Sequence, residues 1–167
     1  MRDNGMLHFL IGPVGAGKTT TARALSLRSG GLLLDCDEWM VRLFGADTRP
    51  SQGVLDWYLE RRERCRSLLW DTALSLARTN TPVYLELGLI LADERALYFS
   101  RATDAGIHFQ VLLVSAPREL RRRRVMERNA ACDKNTQMVP PEFFERASDH
   151  WQEPSEQERL SWNIIDT

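Results

Sequence analysis

The sequence predicts a three-layer α/β/α fold, in which a five-stranded parallel sheet carries helices on both faces. Three observations predict it. Short apolar runs of strand length alternate with longer segments of helical period, the order that builds βαβ units. The apolar runs lack polar alternation, as strands buried on both faces do. A glycine-rich turn joins the first run directly to the first helical segment.

Met6 to Ile11 is apolar except for His8 and is bounded by Gly5 and Gly12, which marks a buried strand. Lys18 to Arg28 has no glycine or proline and stops at Ser29-Gly30-Gly31, a helix with a glycine end. Leu32 to Leu34 is a second strand, followed by Asp35-Cys36-Asp37-Glu38 and a short helix over 38–44. Val54 to Thr79 repeats Leu55, Tyr58, Leu59, Leu69, Ala73 and Leu76 at helical spacing, with ERRERCR read as its charged face. Val83 to Leu87 is a third strand, Asp93 to Ala105 a helix, and Phe109 to Val114 a fourth strand. Pro117 suits a first helical turn, and a strongly basic helix runs from it to about Asn129. Residues 130–139 read as irregular. Pro140-Pro141 opens a short helix through Arg146, and Asn163 to Ile165 forms a fifth strand. No repeat or linker interrupts the chain, so 1–167 is expected to be one domain.

Composition narrows the function. The chain is 43% hydrophobic and 27% charged with net charge -1, ordinary values that exclude a global nucleic-acid-binding field. Cys36, Cys65 and Cys132 form no CxxC pair, which argues against a disulfide framework or a zinc site and for a reducing cytoplasm. The start MRDNG is not a signal peptide, and no apolar run reaches the ~18 residues that span a bilayer. A cytoplasmic location without membrane partners is expected.

Gly12-Pro13-Val14-Gly15-Ala16-Gly17-Lys18-Thr19 fits GxxxxGK[ST] at every fixed position. Glycines let such a loop fold around phosphates with its N–H groups aimed inward. The helix that follows, starting at Lys18 and Thr19 and continuing through Thr20, adds its positive end. Lys18 can reach the β- and γ-phosphates, and the Thr19 hydroxyl can ligate Mg²⁺. The predicted ligands are ATP and Mg²⁺.

This loop, an Asp-x-Asp closing the second strand, and an arginine-rich helix after the fourth resemble the small P-loop kinases. The nearest set comprises chloramphenicol phosphotransferase, zeta-toxin-like kinases and the kinase domain of polynucleotide kinase. Within it, DCDEWMVRLFGAD, LELGLILADERALYF, APRELRRRRVMERN and VPPEFFER are similar to a bacterial group described as AAA-type ATP-binding proteins. The resemblance implies a P-loop NTPase fold, transfer of the ATP γ-phosphate to a hydroxyl, and an arginine-rich lid at about 117–139. It also implies that Asp37 holds the position of the base for the acceptor hydroxyl and that Arg124 and Arg128 match the RxxxR of the lid.

The residues themselves support parts of this. A carboxylate at Asp37 can accept the proton of an attacking alcohol; it can also cap the 38–44 helix. Asp35 reads as near Mg²⁺ or as structural. Glu86 is the one acid on the third strand and is costly to bury without a partner, so it is expected to meet the metal water or the substrate. Arg121, Arg124 and Arg128 share a helix face, suited to neutralising a transferring phosphoryl group. Trp39 to Arg62 is the candidate acceptor side, with Trp39, Phe44, Trp57 and Tyr58 as walls or core and Arg42 as a substrate contact. His8 and His108 read as structural. The acceptor is expected to be a small hydroxyl-bearing molecule. A polynucleotide 5′-kinase, disfavoured by the acidic DCDE, and an ATP-driven switch without acceptor are the alternatives.

Overall fold

A computed structural model describes residues 6–131 and 138–167. The start MRDNG, Cys132 and part of the expected lid lie outside the described residues. Strands β1 (Leu7–Ile11), β2 (Leu32–Asp35), β3 (Val83–Glu86), β4 (Phe109–Leu113) and β5 (Ile164–Asp166) form one parallel sheet in the order β2-β3-β1-β4-β5. Helices α1 (Lys18–Ser29), α2 (Cys36–Phe44), α3 (Val54–Arg78), α4 (Ala92–Asp104), α5 (Arg118–Ala130), α6 (Pro141–His150) and α7 (Glu156–Trp162) connect and cover it.

The period of two along β1 divides the core between the two faces. Leu7, Phe9 and Ile11 point into the larger layer, against Leu69 and Ala73 of α3 and Phe99 and Ala102 of α4. Leu10 points the other way, to Ala22 of α1, Tyr84 and Leu112. His8 shares that second face and stacks on Tyr84 at 4.6 Å, a structural histidine as expected. Trp39 and Tyr58 pack against the larger layer, which makes them core-facing residues.

Several boundaries differ from the sequence reading. Helix α2 begins at Cys36, directly after the strand, because Asp35 accepts the N–H groups of Asp37 and Glu38. Asp35, not Asp37, is therefore the cap. Helix α6 runs on to His150, and α7 is an element the sequence reading left out: Ser155 caps it through Glu158 N–H, and Asn163 ends it in the left-handed region. Arg66, read as part of a charged face, is buried and turns inward. No helix of the described residues is long and apolar enough to cross a membrane.

Candidate nucleotide and acceptor site

The site forms where the sheet ends. Strand register sets Asp35 beside Glu86 as the last residues of neighbouring parallel strands, so their side chains share a face. Thr19, on the first turn of α1, faces both of them. Its hydroxyl lies 3.0 Å from Asp35 Oδ2 and 3.0 Å from Glu86 Oε2. Lys18 Nζ donates to the Pro13 carbonyl at 3.1 Å and stands 3.3 Å from Glu86 Oε1. The loop from Gly12 to Gly17 closes over the end of β1, with the Ala16 N–H on the Pro13 carbonyl.

Burial shapes the charges. It pushes the Glu86 carboxyl up to about 7, with Lys18 pulling against it and Asp35 and Asp37 adding to it. Asp35 is raised as well, first by burial and then by Asp37. Thr19 faces two carboxylate oxygens at equal distance and has one proton to give, so it donates to one of them and accepts from the other only when that carboxyl is protonated. An all-oxygen set of this kind, with excess negative charge, fits a small hard cation. Among the described residues no group of three or more His, Cys, Asp or Glu could hold a metal alone.

Asp37 lies two residues past the cap. Its side chain is more than half exposed and stands 3.5 Å from Arg62 of α3. Arg62 is held in turn: Nη1 donates to Tyr58 Oη at 2.9 Å, and Nη2 reaches the Leu87 and Gly88 carbonyls at 3.4 and 3.5 Å. Arg66, one turn on, donates to the same two carbonyls at 2.9 Å and to Glu94 at 2.8 Å. Glu94 also accepts the N–H groups of Ile90 and Leu91. The loop after β3 is thereby tied to α3 and α4.

The basic helix divides by face. Arg121 donates to the Val14 carbonyl and Arg124 to the Ala16 carbonyl, each at 3.0 Å, so both reach the glycine-rich loop. Arg128 is exposed one turn beyond Arg124. Arg118 and Arg122 pair with Glu145 of α6 instead. Arg42 is not brought to the cluster; it lies on the outer side of α2, 3.5 Å from Glu38. Thr20 is exposed.

Lys18, Thr19, Glu86, Arg124 and the loop thus come together, with Asp37 beside them. Asp35 and Arg62 are the residues that the sequence reading undervalued. The Asp-x-Asp spacing pointed to Asp35, and Arg62 closed the candidate acceptor stretch 39–62 without a role of its own.

Solved structures share this architecture. A gluconokinase from Sinorhizobium meliloti matches with TM-score 0.63 and 12% identity, over 99% of this chain and 83% of that one. Kti12 of Chaetomium thermophilum, in complex with ADP-AlF3, matches with TM-score 0.64 and 19% identity, over 96% and 88%. A chain of the Pnkp1/Rnl/Hen1 RNA repair complex matches with TM-score 0.61 and 19% identity, over 90% of this chain and 45% of that one. No curated protein matches by sequence. At these identities the likeness is one of fold, the P-loop NTPase fold. Residues 7–154, nearly the whole chain, match the family model described as the AAA domain, and the chain belongs to that family.

Proposed function

We propose that the protein is a kinase that transfers the γ-phosphate of ATP to a hydroxyl of a small-molecule acceptor, with Asp37 as the base. One observation carries this reading: a half-exposed carboxylate, 3.5 Å from a half-buried arginine, follows directly on the Asp35 that faces Thr19 of the phosphate loop. A switch that only bound or hydrolysed ATP would have no need of a positioned acid on that side.

Lys18 and the loop N–H groups from Gly12 to Gly17 bind the phosphates. Thr19, with Glu86 and Asp35, would hold Mg²⁺, which when bound neutralises phosphate charge and orients the β- and γ-oxygens. Asp37 takes the proton of the acceptor hydroxyl at its carboxylate and aims that oxygen in line. Arg124 balances charge on the transferring group from the loop side, and Arg128 extends the same face. We read the described residues as one domain, with α5 as part of its lid. The structures named gluconokinase and sugar kinase support a small polyol or sugar acid as acceptor class.

The test is a screen of hydroxyl-bearing metabolites, antibiotics and a 5′-hydroxyl oligonucleotide against radiolabelled ATP, with Lys18→Ala as the blank. Asp37→Asn should lower transfer by about 10²- to 10⁴-fold while ADP affinity stays unchanged. Transfer at an undiminished rate in that variant removes Asp37 as the base. Labelled oligonucleotide as the sole product replaces the small-molecule acceptor by an RNA or DNA end.

A further inference from the structure

Asp35 is almost fully buried, and its two carboxylate oxygens face in different directions. Oδ1 accepts the backbone N–H groups of Asp37 at 2.9 Å and Glu38 at 3.2 Å, the two donors that start α2. Oδ2 faces the Thr19 hydroxyl, which also contacts Glu86 Oε2. One rigid group therefore touches the phosphate-loop helix on one side and the backbone of the candidate base on the other. Strand register leaves it little freedom, since Asp35 is hydrogen-bonded in the sheet beside Glu86. The next residue, Cys36, is also buried, packed in the larger core layer.

We propose that Asp35 is a positioning residue that couples a cation at Thr19 to the first turn of α2, so that loading of the metal and nucleotide fixes where Asp37 stands. A cation drawn to Oδ2 holds the carboxylate in place and keeps Oδ1 aimed at the two amides. Without it, Oδ2 is held only by the Thr19 hydroxyl, which Glu86 also contacts, and the charges of Asp35 and Glu86 disfavour each other. The cap is then the weaker for it, and the first turn of α2 opens more readily. This coupling depends on the kinase reading only for what Asp37 does once it is fixed.

The experiment uses the full chain with ADP and Mn²⁺ as probes, and reads two quantities other than activity. Free Mn²⁺ is followed by electron paramagnetic resonance, and amide exchange at residues 37 and 38 by NMR. In the parent protein, Mn²⁺ affinity is read with ADP present. Exchange, which needs a diamagnetic ion, is read with Mg²⁺ and ADP against ADP in chelator. The metal should slow exchange at both amides by about fivefold, the scale of one N-cap hydrogen bond. Asp35→Asn keeps an oxygen for the cap but loses the charge. It should weaken Mn²⁺ binding in the ADP complex by about 10- to 100-fold, as loss of a partner around a metal does, and should abolish the metal-dependent slowing. Asp35→Ser, which also caps helices, serves if the asparagine variant does not fold.

Parent-like Mn²⁺ affinity in the variant overturns the proposal. So does tight metal binding by the parent that leaves the two amides unchanged. Both readouts are independent of any acceptor. A screen that finds no phosphorylated product therefore counts against the kinase reading and leaves the coupling standing, and the reverse outcome is equally distinct.

Discussion

Burial pushes the Glu86 carboxyl up to about 7 from an ordinary 4.5; Lys18 and Thr19 pull against it, while Asp35 and Asp37 add to it. The fold thus disfavours the ionised form. For a carboxyl raised on folding, the unfavourable contribution is absent below about 4.5, grows as pH rises toward 7, and is constant above. A shift of this size corresponds to roughly 3 kcal/mol. Glu86→Gln should therefore raise the unfolding temperature of metal-free, nucleotide-free protein by several degrees at pH 8, with a gain that shrinks toward pH 5. Calorimetry in chelator at the two pH values checks this, and a gain independent of pH would show that the charge is not its source. At this scale the sequence was legible where residue type dictates chemistry: Lys18 and Thr19 follow from the motif, and Glu86 from being an acid in an apolar strand. Asp35 and Asp37 were harder to separate, because strand alternation alone puts residues two apart on the same face. The structure starts the helix at Cys36, which makes the last strand residue the cap and leaves Asp37 free to face outward.

Among elements, the joint between α3 and the loop after β3 decides how the acceptor side is held. Gly88 has φ +64, and a Cβ there would lie 2.0 Å from Arg62 Nη2. Gly106 has nearly the same backbone, φ +67, with nothing within 4 Å of its Cβ position. Alanine at either site incurs the left-handed penalty of about 1 kcal/mol. Only Gly88→Ala also drives Arg62 from the Leu87 and Gly88 carbonyls and from Asp37. Urea unfolding should find Gly88→Ala worse than Gly106→Ala by about 1 kcal/mol, the net value of a hydrogen bond. In an Arg62→Leu background that excess should vanish, as the two residues are in contact. An excess that persists would place the strain in the backbone alone. Helix periodicity identified α3, but it could not find Arg62 or Arg66. Both are charged residues in a charged run, and the carbonyls of Leu87 and Gly88 and the carboxylates of Asp37 and Glu94 that turn them inward are far away in sequence.

Across the whole molecule, the groups proposed to handle phosphate sit at the ends of β1, β2 and β3, while β5 is a separate device at the far edge of the sheet. It is three residues long, and the apolar pattern announced it only weakly. Its anchor is α7, which carries Glu158 to Arg95 of α4. Arg95 is completely buried, with Nε 2.5 Å from Glu158 Oε1 and Nη2 2.9 Å from Oε2, and it lies against the Trp151 ring at 5.2 Å. A short polar segment such as EQERLSW has no strong period of its own, so this closure depends on a partner 63 positions away. Removing one member of a buried pair leaves the other charge without compensation, at a cost of about 3–5 kcal/mol. Glu158→Ala should therefore lower the unfolding free energy in urea by that order, with a lower midpoint, yet leave ADP affinity at low temperature unchanged, because none of Lys18, Thr19 or Asp35 touches this edge. Isothermal titration beside the unfolding curve separates the two effects. Weaker ADP binding with an unchanged midpoint would mean that the far edge of the sheet belongs to the site, and the division between a closing edge and a phosphate-binding edge would have to be given up.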